Sequence, residues 1–201
     1  MPYIIKPHRV RNVVAALSAS ALLIGAVPAV AGAACPSSPT SQAFAQFGDE
    51  AAYTLVEGGT FESGAPGWSL SGASVESENE VLIPTGDRYA LKIRPRGRAT
   101  SPGFCVSSEY PSFRFLFRKA AGWGGLNVGL AWTDESGSHY VSVGWLHGGG
   151  SWALSPVLEL AGNLPLTGAE STITPVHLVF EGSQPGQKWA ISDVYIDPYS
   201  R

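Results

Sequence analysis

Gly58-Gly59-Thr60-Phe61-Glu62-Ser63-Gly64-Ala65-Pro66-Gly67-Trp68 sets one apolar ring, one carboxylate and one indole among residues that favour turns. On an extended backbone the adjacent Phe61 and Glu62 face opposite sides of a sheet, so the ring points inward and the carboxylate outward. Gly64, Pro66 and Gly67 then break the strand, and Trp68 restarts the apolar pattern. The stretch predicts a strand joined by turns to the edge of a β-sandwich.

Downstream, period-two alternation dominates. Phe113, Phe115 and Phe117 alternate with Arg114, Leu116 and Arg118, which assigns the phenylalanines to a core. Val128, Leu130 and Trp132 alternate with Asn127, Gly129 and Ala131. After the turn Asp134-Glu135-Ser136-Gly137, Val141, Val143 and Trp145 alternate with Tyr140, Ser142 and Gly144, completing a hairpin. Further strands are read at Ala51–Glu57, Trp68–Val75, Phe104–Val106, Trp152–Leu160, Ile173–Glu181 and Lys188–Asp197. No sustained apolar period near that of a helix occurs after the first few dozen residues. About ten short strands, each with one buried face, pack as two antiparallel sheets, an all-β fold. Trp68, Trp132, Trp145 and Trp189 are assigned to its core.

The chain has 201 residues, 44% hydrophobic and 14% charged, with 24 Gly and 15 Pro, which bounds it to one globular domain rich in turns. Lys6, Arg9 and Arg11, the apolar run 13–30 and Ala31-Gly32-Ala33 read as a signal peptide over residues 1–33 of a secreted bacterial protein; an uncleaved anchor is the competing reading. Removing that leader leaves 10 Lys and Arg against 16 Asp and Glu, a balance that argues against nucleic acid as a partner. The mature chain carries no candidate membrane span, and a monomer is expected.

Cys35 and Cys105 are the only cysteines. In an exported protein such a pair reads as one disulfide, which would tether the segment 34–50 to the domain at 51–201. Closing a loop of this length stabilises a fold by roughly 4 kcal/mol. Lipid modification of Cys35 is the alternative, since small residues precede it.

Two charged segments share a period of two: Glu76, Glu78 and Glu80, then Lys92, Arg94, Arg96 and Arg98. A turn at Pro84-Thr85-Gly86-Asp87 would set Glu80 opposite Lys92, Glu78 opposite Arg94 and Glu76 opposite Arg96. The basic stripe is then a neutralised ladder; with the acidic row on another face it becomes an anion-binding strip.

Thr60-Phe61-Glu62-Ser63-Gly64 with Gly67-Trp68, and the closing Trp189-Ala190-Ile191-Ser192-Asp193-Val194-Tyr195, resemble the jelly-roll carbohydrate-binding modules of the galactose-binding-like superfamily. Ala34-Cys35-Pro36, Phe104-Cys105-Val106 and Asp193-Val194-Tyr195-Ile196-Asp197-Pro198-Tyr199 also resemble short secreted bacterial proteins of unassigned function. The first resemblance implies a jelly roll and a structural Ca²⁺ tying the first strand to the last, with Glu62 and Asp193 at the ligand positions. Ca²⁺ takes six to eight oxygens, and glycine-rich turns offer carbonyls. Ser192 stands where the family often has a second aspartate.

No catalytic constellation emerges. His147-Gly148-Gly149-Gly150 is similar to an oxyanion-hole run, yet no Gly-x-Ser-x-Gly turn supplies a nucleophile, and His139 and His177 lack partners at zinc-ligand spacing. A glycan needs aromatic planes and planar polar groups. The sheet face opposite the core supplies Arg114, Asn127, Tyr140 and His177, with Gly129, Ala131, Ser142 and Gly144 leaving a concavity between them, and Trp123 in its glycine loop as a rim platform. A non-catalytic module for carbohydrate or cell-envelope glycan is the leading expectation. A structural or adhesive protein that makes protein contacts, and shows an exposed apolar patch, is the alternative.

Overall fold

The computed structural model describes residues 35, 38–78, 80–83, 87–108, 110–166 and 172–197; the signal peptide expected at 1–33 lies outside them. Its strands are β1 (Thr54–Leu55), β2 (Ser69–Ser77), β3 (Tyr89–Thr100), β4 (Phe104–Ser107), β5 (Ser112–Ala121), β6 (Leu126–Asp134), β7 (Gly137–Leu146), β8 (Ala153–Leu154), β9 (Leu158–Glu159), β10 (Thr172–Gly182) and β11 (Lys188–Asp197). Among the described residues the only helical elements are short 3-10 turns at Ala45–Phe47 and Ala161–Asn163, and no helix is long and apolar enough to cross a membrane.

The strands pair in the order β7-β6-β10-β3-β11-β5-β8, every pair antiparallel. β3 belongs to both layers: Leu91 and Ile93 pair with β11, whereas Arg98, Ala99 and Thr100 pair with β10. One curled sheet therefore forms the expected sandwich. The fold line crosses Arg94–Gly97, which stands opposite Gly72 where the β2–β3 register shifts. A Cβ on Gly97 would collide with the Gly72 carbonyl, so only glycine lets the strands approach so closely there.

Between the layers the ring of Phe180 (β10) meets Phe115 (β5) edge-on, centroids 4.9 Å apart, and stacks on Trp68 at 6.1 Å. Phe113, Phe117, Trp189 and Ile191 complete one wall of this core; Val128, Leu130, Val176 and Leu178 complete the other. The alternation read in β5 and β10 is thus the inward face.

The opening stretch differs from its reading in one respect. It is a succession of turns, with Gly59 N donating to Val56 O, Phe61 N to Gly58 O and Gly64 N to Phe61 O. Phe61 itself has φ 64°, the left-handed region that a bulky residue seldom adopts. The ring is nonetheless fully buried against Trp68, centroids 5.0 Å apart.

The charge ladder is also displaced. Ser77 lies opposite Tyr89 and Glu76 opposite Ala90, because β2 ends well before the expected turn. Ion pairs are consequently diagonal: Glu78 takes both Lys92 and Arg118, and Glu76 takes Arg94 at 3.3 Å. Glu80 is only 2% exposed and faces inward. Pro84-Thr85-Gly86, the expected turn, lies outside the described residues.

Cys35 and Cys105 form a disulfide, Cα atoms 5.5 Å apart, so Cys35 is not free for lipid. The segment after it is held by more than that bond. Ser41 pairs with Tyr53, Phe44 is fully buried, and Asp49 Oδ2 accepts from Arg114 Nη1 at 2.7 Å and from Tyr53 OH at 2.6 Å.

Phe180→Ala is expected to destabilise the domain by about 3–5 kcal/mol, since it empties the junction of both layers. Urea unfolding followed by tryptophan fluorescence measures this.

Candidate functional site

The open face of the layer β7-β6-β10-β3 carries the candidate site, and a bulge makes it. Leu130 pairs with Val141 and Gly129 with Ser142, but Val128 then pairs with Gly144, leaving Val143 as the extra residue. Beyond the bulge every side chain of β7 changes sides. Gly144 therefore turns to the core, where a Cβ would stand 3.0 Å from Leu158 Cδ2, and Trp145 turns outward opposite Asn127. Trp145 is 46% exposed, not a core residue as strict alternation predicts. Its indole lies over Gly125, a position at which any Cβ would strike the ring.

Tyr140 is seated in the same way. Its ring lies flat across Gly129, where a Cβ would be 2.5 Å from Tyr140 Cε2. The glycine expected to leave a hollow instead supplies the floor of an aromatic plane. From that floor the phenol reaches Glu181 on β10, donating to Oε2 at 3.1 Å. Asn127 Nδ2 donates to the same oxygen at 2.9 Å and to the Tyr140 oxygen at 2.7 Å, while Ser142 Oγ donates to Asn127 Oδ1 at 2.5 Å. Arg98 Nη1 donates to Glu181 Oε1 at 3.0 Å, and its guanidinium carbon sits 5.6 Å from the Tyr140 ring centroid. Partial burial and then the charge of Glu181 raise the Tyr140 pKa, which keeps the phenol a donor.

On either side of this ridge lies a hollow. One, about 490 Å³, is bounded by Trp145, Arg96, Arg98, Asn127 and Glu181. The other, about 320 Å³, is bounded by Tyr140, Arg98, Trp132, His139 and His177. Trp132 is half-buried there and stacks on His139, centroids 5.0 Å apart. His177 Nδ1 lies 2.8 Å from the Ser101 carbonyl, so that nitrogen carries the proton and donates.

Of the residues expected on this face, Asn127, Tyr140 and His177 do line the hollows. Arg114 does not. It belongs to β5 in the other layer, where the N-terminal segment covers it: Asp49 pairs with it, the Ser155 carbonyl accepts from Nε at 3.1 Å and Nη2 at 2.6 Å, and Phe44 lies 5.8 Å from its guanidinium carbon. Trp123 is 68% exposed in the β5–β6 connection, two positions from the glycine under Trp145. Sequence reasoning missed Trp145, Glu181 and Arg98. A bulge leaves no period in the sequence, and Glu181 and Arg98 approach only because β10 pairs with β3. A larger cavity, about 580 Å³ beside the disulfide, is lined by Leu55, Val56, Phe104, Tyr110 and Ile196 and lacks such an aromatic plane beside paired charges.

Known structures share this architecture. The CBM22-1 xylan-binding domain of Xyn10C from Paenibacillus barcinonensis superposes with a TM-score of 0.50 at 15% identity, over 69% of this chain and 90% of that one. This is a jelly-roll fold. A family 16 carbohydrate-binding module (14% identity, TM-score 0.47, 71% of this chain and 99% of that one) and TmCBM61 in complex with β-1,4-galactotriose (18%, 0.40, 71% and 96%) are further matches. At these identities the likeness is one of fold. No protein-family model matches the chain, and no curated protein matches it in sequence.

The jelly roll also gathers acids at the edge where β11 bulges. The β5–β11 register shifts between Ser192 and Tyr195, and Asp193 has φ 53°, which turns its carboxylate toward the β2–β3 connection. There Glu80, Asp87 and Asp193, all buried, bring a carboxylate oxygen each within 4.8 Å of one another. Glu80 also accepts from the amides of Leu82 and, at 3.0 Å, Ile83. Asp193 Oδ2 is buried without a hydrogen-bond partner. Glu62, expected beside Asp193, is not in the group. Its Oε1 accepts from the amides of Arg88 and Tyr89 at 2.7 Å each, fixing the start of β3.

Burial first, then the charges of Asp87 and Glu80, push the Asp193 carboxyl up from 3.8 to about 7. A carboxyl that holds its proton more tightly when folded favours the fold at acid pH and loses that advantage as pH rises. With metal-chelating buffer, the melting temperature is therefore expected to fall between about pH 4 and pH 7, the window set by those two values. Asp193→Asn should flatten the slope in scanning calorimetry.

Proposed function

We propose that this protein is a secreted, non-catalytic carbohydrate-binding module that takes a glycan on the open face of β7-β6-β10-β3. The observation that carries the reading is the outward indole of Trp145 beside the Asn127–Tyr140–Glu181–Arg98 network. A pyranose ring presents an apolar face for the indole and equatorial hydroxyls for the planar polar groups. With the amide, phenol and carboxylate already bonded to one another, little side-chain freedom is left to lose on binding. The hollows flank the Tyr140–Arg98 ridge, so a glycan of more than one residue would span it. The jelly roll shared with a xylan-binding domain supports the reading at the level of fold. A contact surface for proteins would instead need a continuous apolar patch, and Trp145 and Tyr140 are separated by Asn127 and Ser142.

Calorimetric titration of a panel of β-linked oligosaccharides is the test. Trp145→Ala is expected to weaken the best binder by about 1–3 kcal/mol, a loss of about fivefold or more, with the melting temperature nearly unchanged. Failure of every oligosaccharide to bind would end this reading.

The acidic group at the β11 bulge is proposed to hold a structural Ca²⁺. Its oxygens are of the hard type that Ca²⁺ prefers, and the unsatisfied Asp193 Oδ2 is the free ligand. Asp193 and the loop acids Glu80 and Asp87 would hold the ion, with Glu62 positioning that loop through its bonds to β3. A chelator is expected to lower the melting temperature at pH 7.5 by several degrees, about the effect of a ligand at a hundredfold its dissociation constant, and excess Ca²⁺ to restore it. An unchanged melt with no calcium by elemental analysis sinks the ion but leaves the glycan face untouched.

A further inference from the structure

The basic stripe on β3 is only partly neutralised, and what remains borders the hollow that Trp145 also lines. Lys92 pairs with Glu78, Arg94 with Glu76, and Arg98 with Glu181. Arg96 forms no ion pair or hydrogen bond among the described residues, yet it lines the same hollow as Trp145. The register shift at the fold line is the cause, because Arg96 lies in the extra stretch of β3 opposite Gly72, where the ladder sets no acidic residue across from it. Arg96 sits there at φ 60°, where glycine or asparagine would be the economical choice. An arginine kept in a strained backbone position is a reason to look for a ligand.

Charge in the hollow points the same way. Of its lining residues Arg96 and Arg98 are cationic and Glu181 is the acid. Both Glu181 oxygens are already taken, Oε1 by Arg98 and Oε2 by Asn127 and Tyr140. A free guanidinium thus stands at an aromatic wall on a chain whose acids outnumber its bases.

We propose that the Arg96–Arg98–Trp145 hollow selects an acidic sugar, a uronate residue whose carboxylate is received by Arg96 while its ring lies on Trp145. This rests on the glycan-binding reading and names the class of glycan. A carboxylate accepts two parallel N–H groups from a guanidinium fork, a match that neutral hydroxyls do not offer. Partial shielding by the indole and by the bound ring keeps the pair stronger than a fully solvated one.

The test uses the mature full-length protein with oligogalacturonate, oligoglucuronate and oligomannuronate, each beside its carboxyl-reduced twin, and with dextran sulfate. An acidic member is expected to bind at least about tenfold more tightly than its twin, and Arg96→Gln to remove most of that difference. Arg94→Gln, whose side chain pairs with Glu76 outside the hollow, should change nothing. Melting curves check that Arg96→Gln folds; Arg96→Lys, which keeps charge but loses the fork, should recover only part of the affinity. Twins that bind equally, with Arg96→Gln indifferent, overturn the acidic-sugar proposal while the glycan face stands. Binding by neither series overturns the acidic-sugar proposal, and the glycan face falls with it where the β-linked panel fails as well. Dextran sulfate binding as tightly as the uronates, and insensitive to Trp145→Ala, reduces the hollow to a general anion patch and overturns the proposal as well.

Discussion

Everything in this fold depends on the seating of the Gly58–Trp68 turns against the bulge in the last strand. Val56 N donates to Val194 O at 2.9 Å, and Val194 N donates back to Gly59 O at 3.2 Å. The approach is so close that a Cβ on Gly59 would stand 2.8 Å from the Val194 and Val56 carbonyls. That junction drives Phe61 into the core beside Trp68, and Trp68 in turn stacks on Phe180 at the meeting of the layers. Tension in the backbone is the cost: Phe61 and Asp193 both take positive φ, and both are held there by what surrounds them. Adjacent to the seam, the carboxylates of Glu80, Asp87 and Asp193 add mutual repulsion that a proton or a cation must relieve.

Irregularities decide the chemistry on the other side of the molecule. Three departures from ideal strand geometry, at Val143 in β7, at Arg96–Gly97 in β3 and at Asp193 in β11, each re-aim one side chain. The first brings Trp145 out, the second strands Arg96 without a partner, and the third turns Asp193 into the acidic group. A regular sandwich of the same composition would bury Trp145 and pair Arg96. Glycine contributes on the positive side of the sheet as well, since Gly125 and Gly129 let the indole and the phenol lie flat.

The two halves of the chain's charge pattern therefore serve different ends. Glu78, Lys92 and Arg118 form a partly buried cluster that ties β3 to β5, and Arg114 with Asp49 ties the N-terminal segment to the same layer. Such pairs lock geometry more than they add stability, because desolvation offsets much of the attraction. Arg98 and Glu181 instead stiffen the open face, leaving Arg96 beside them without an ion pair among the described residues.

By itself the sequence determined the class of fold, since period-two alternation in residues 113–118 and 176–180 can bury one face only in a sheet, and it favoured the disulfide, with lipid on Cys35 left as the alternative until the two sulfurs were placed together. Three members of the open face, Asn127, Tyr140 and His177, followed from the same alternation. What tertiary structure alone decided were the departures from alternation and the pairings between distant segments. A one-residue bulge flips every side chain after it without altering composition, so Trp145 read as core; Arg114 sits on a face that the N-terminal segment and Ser155 cover; and Glu80, rather than Glu62, joined Asp193 because the β2–β3 register slipped from the symmetric one. Local pattern fixes which residues want burial, whereas long-range pairing fixes which face they reach and what they meet there.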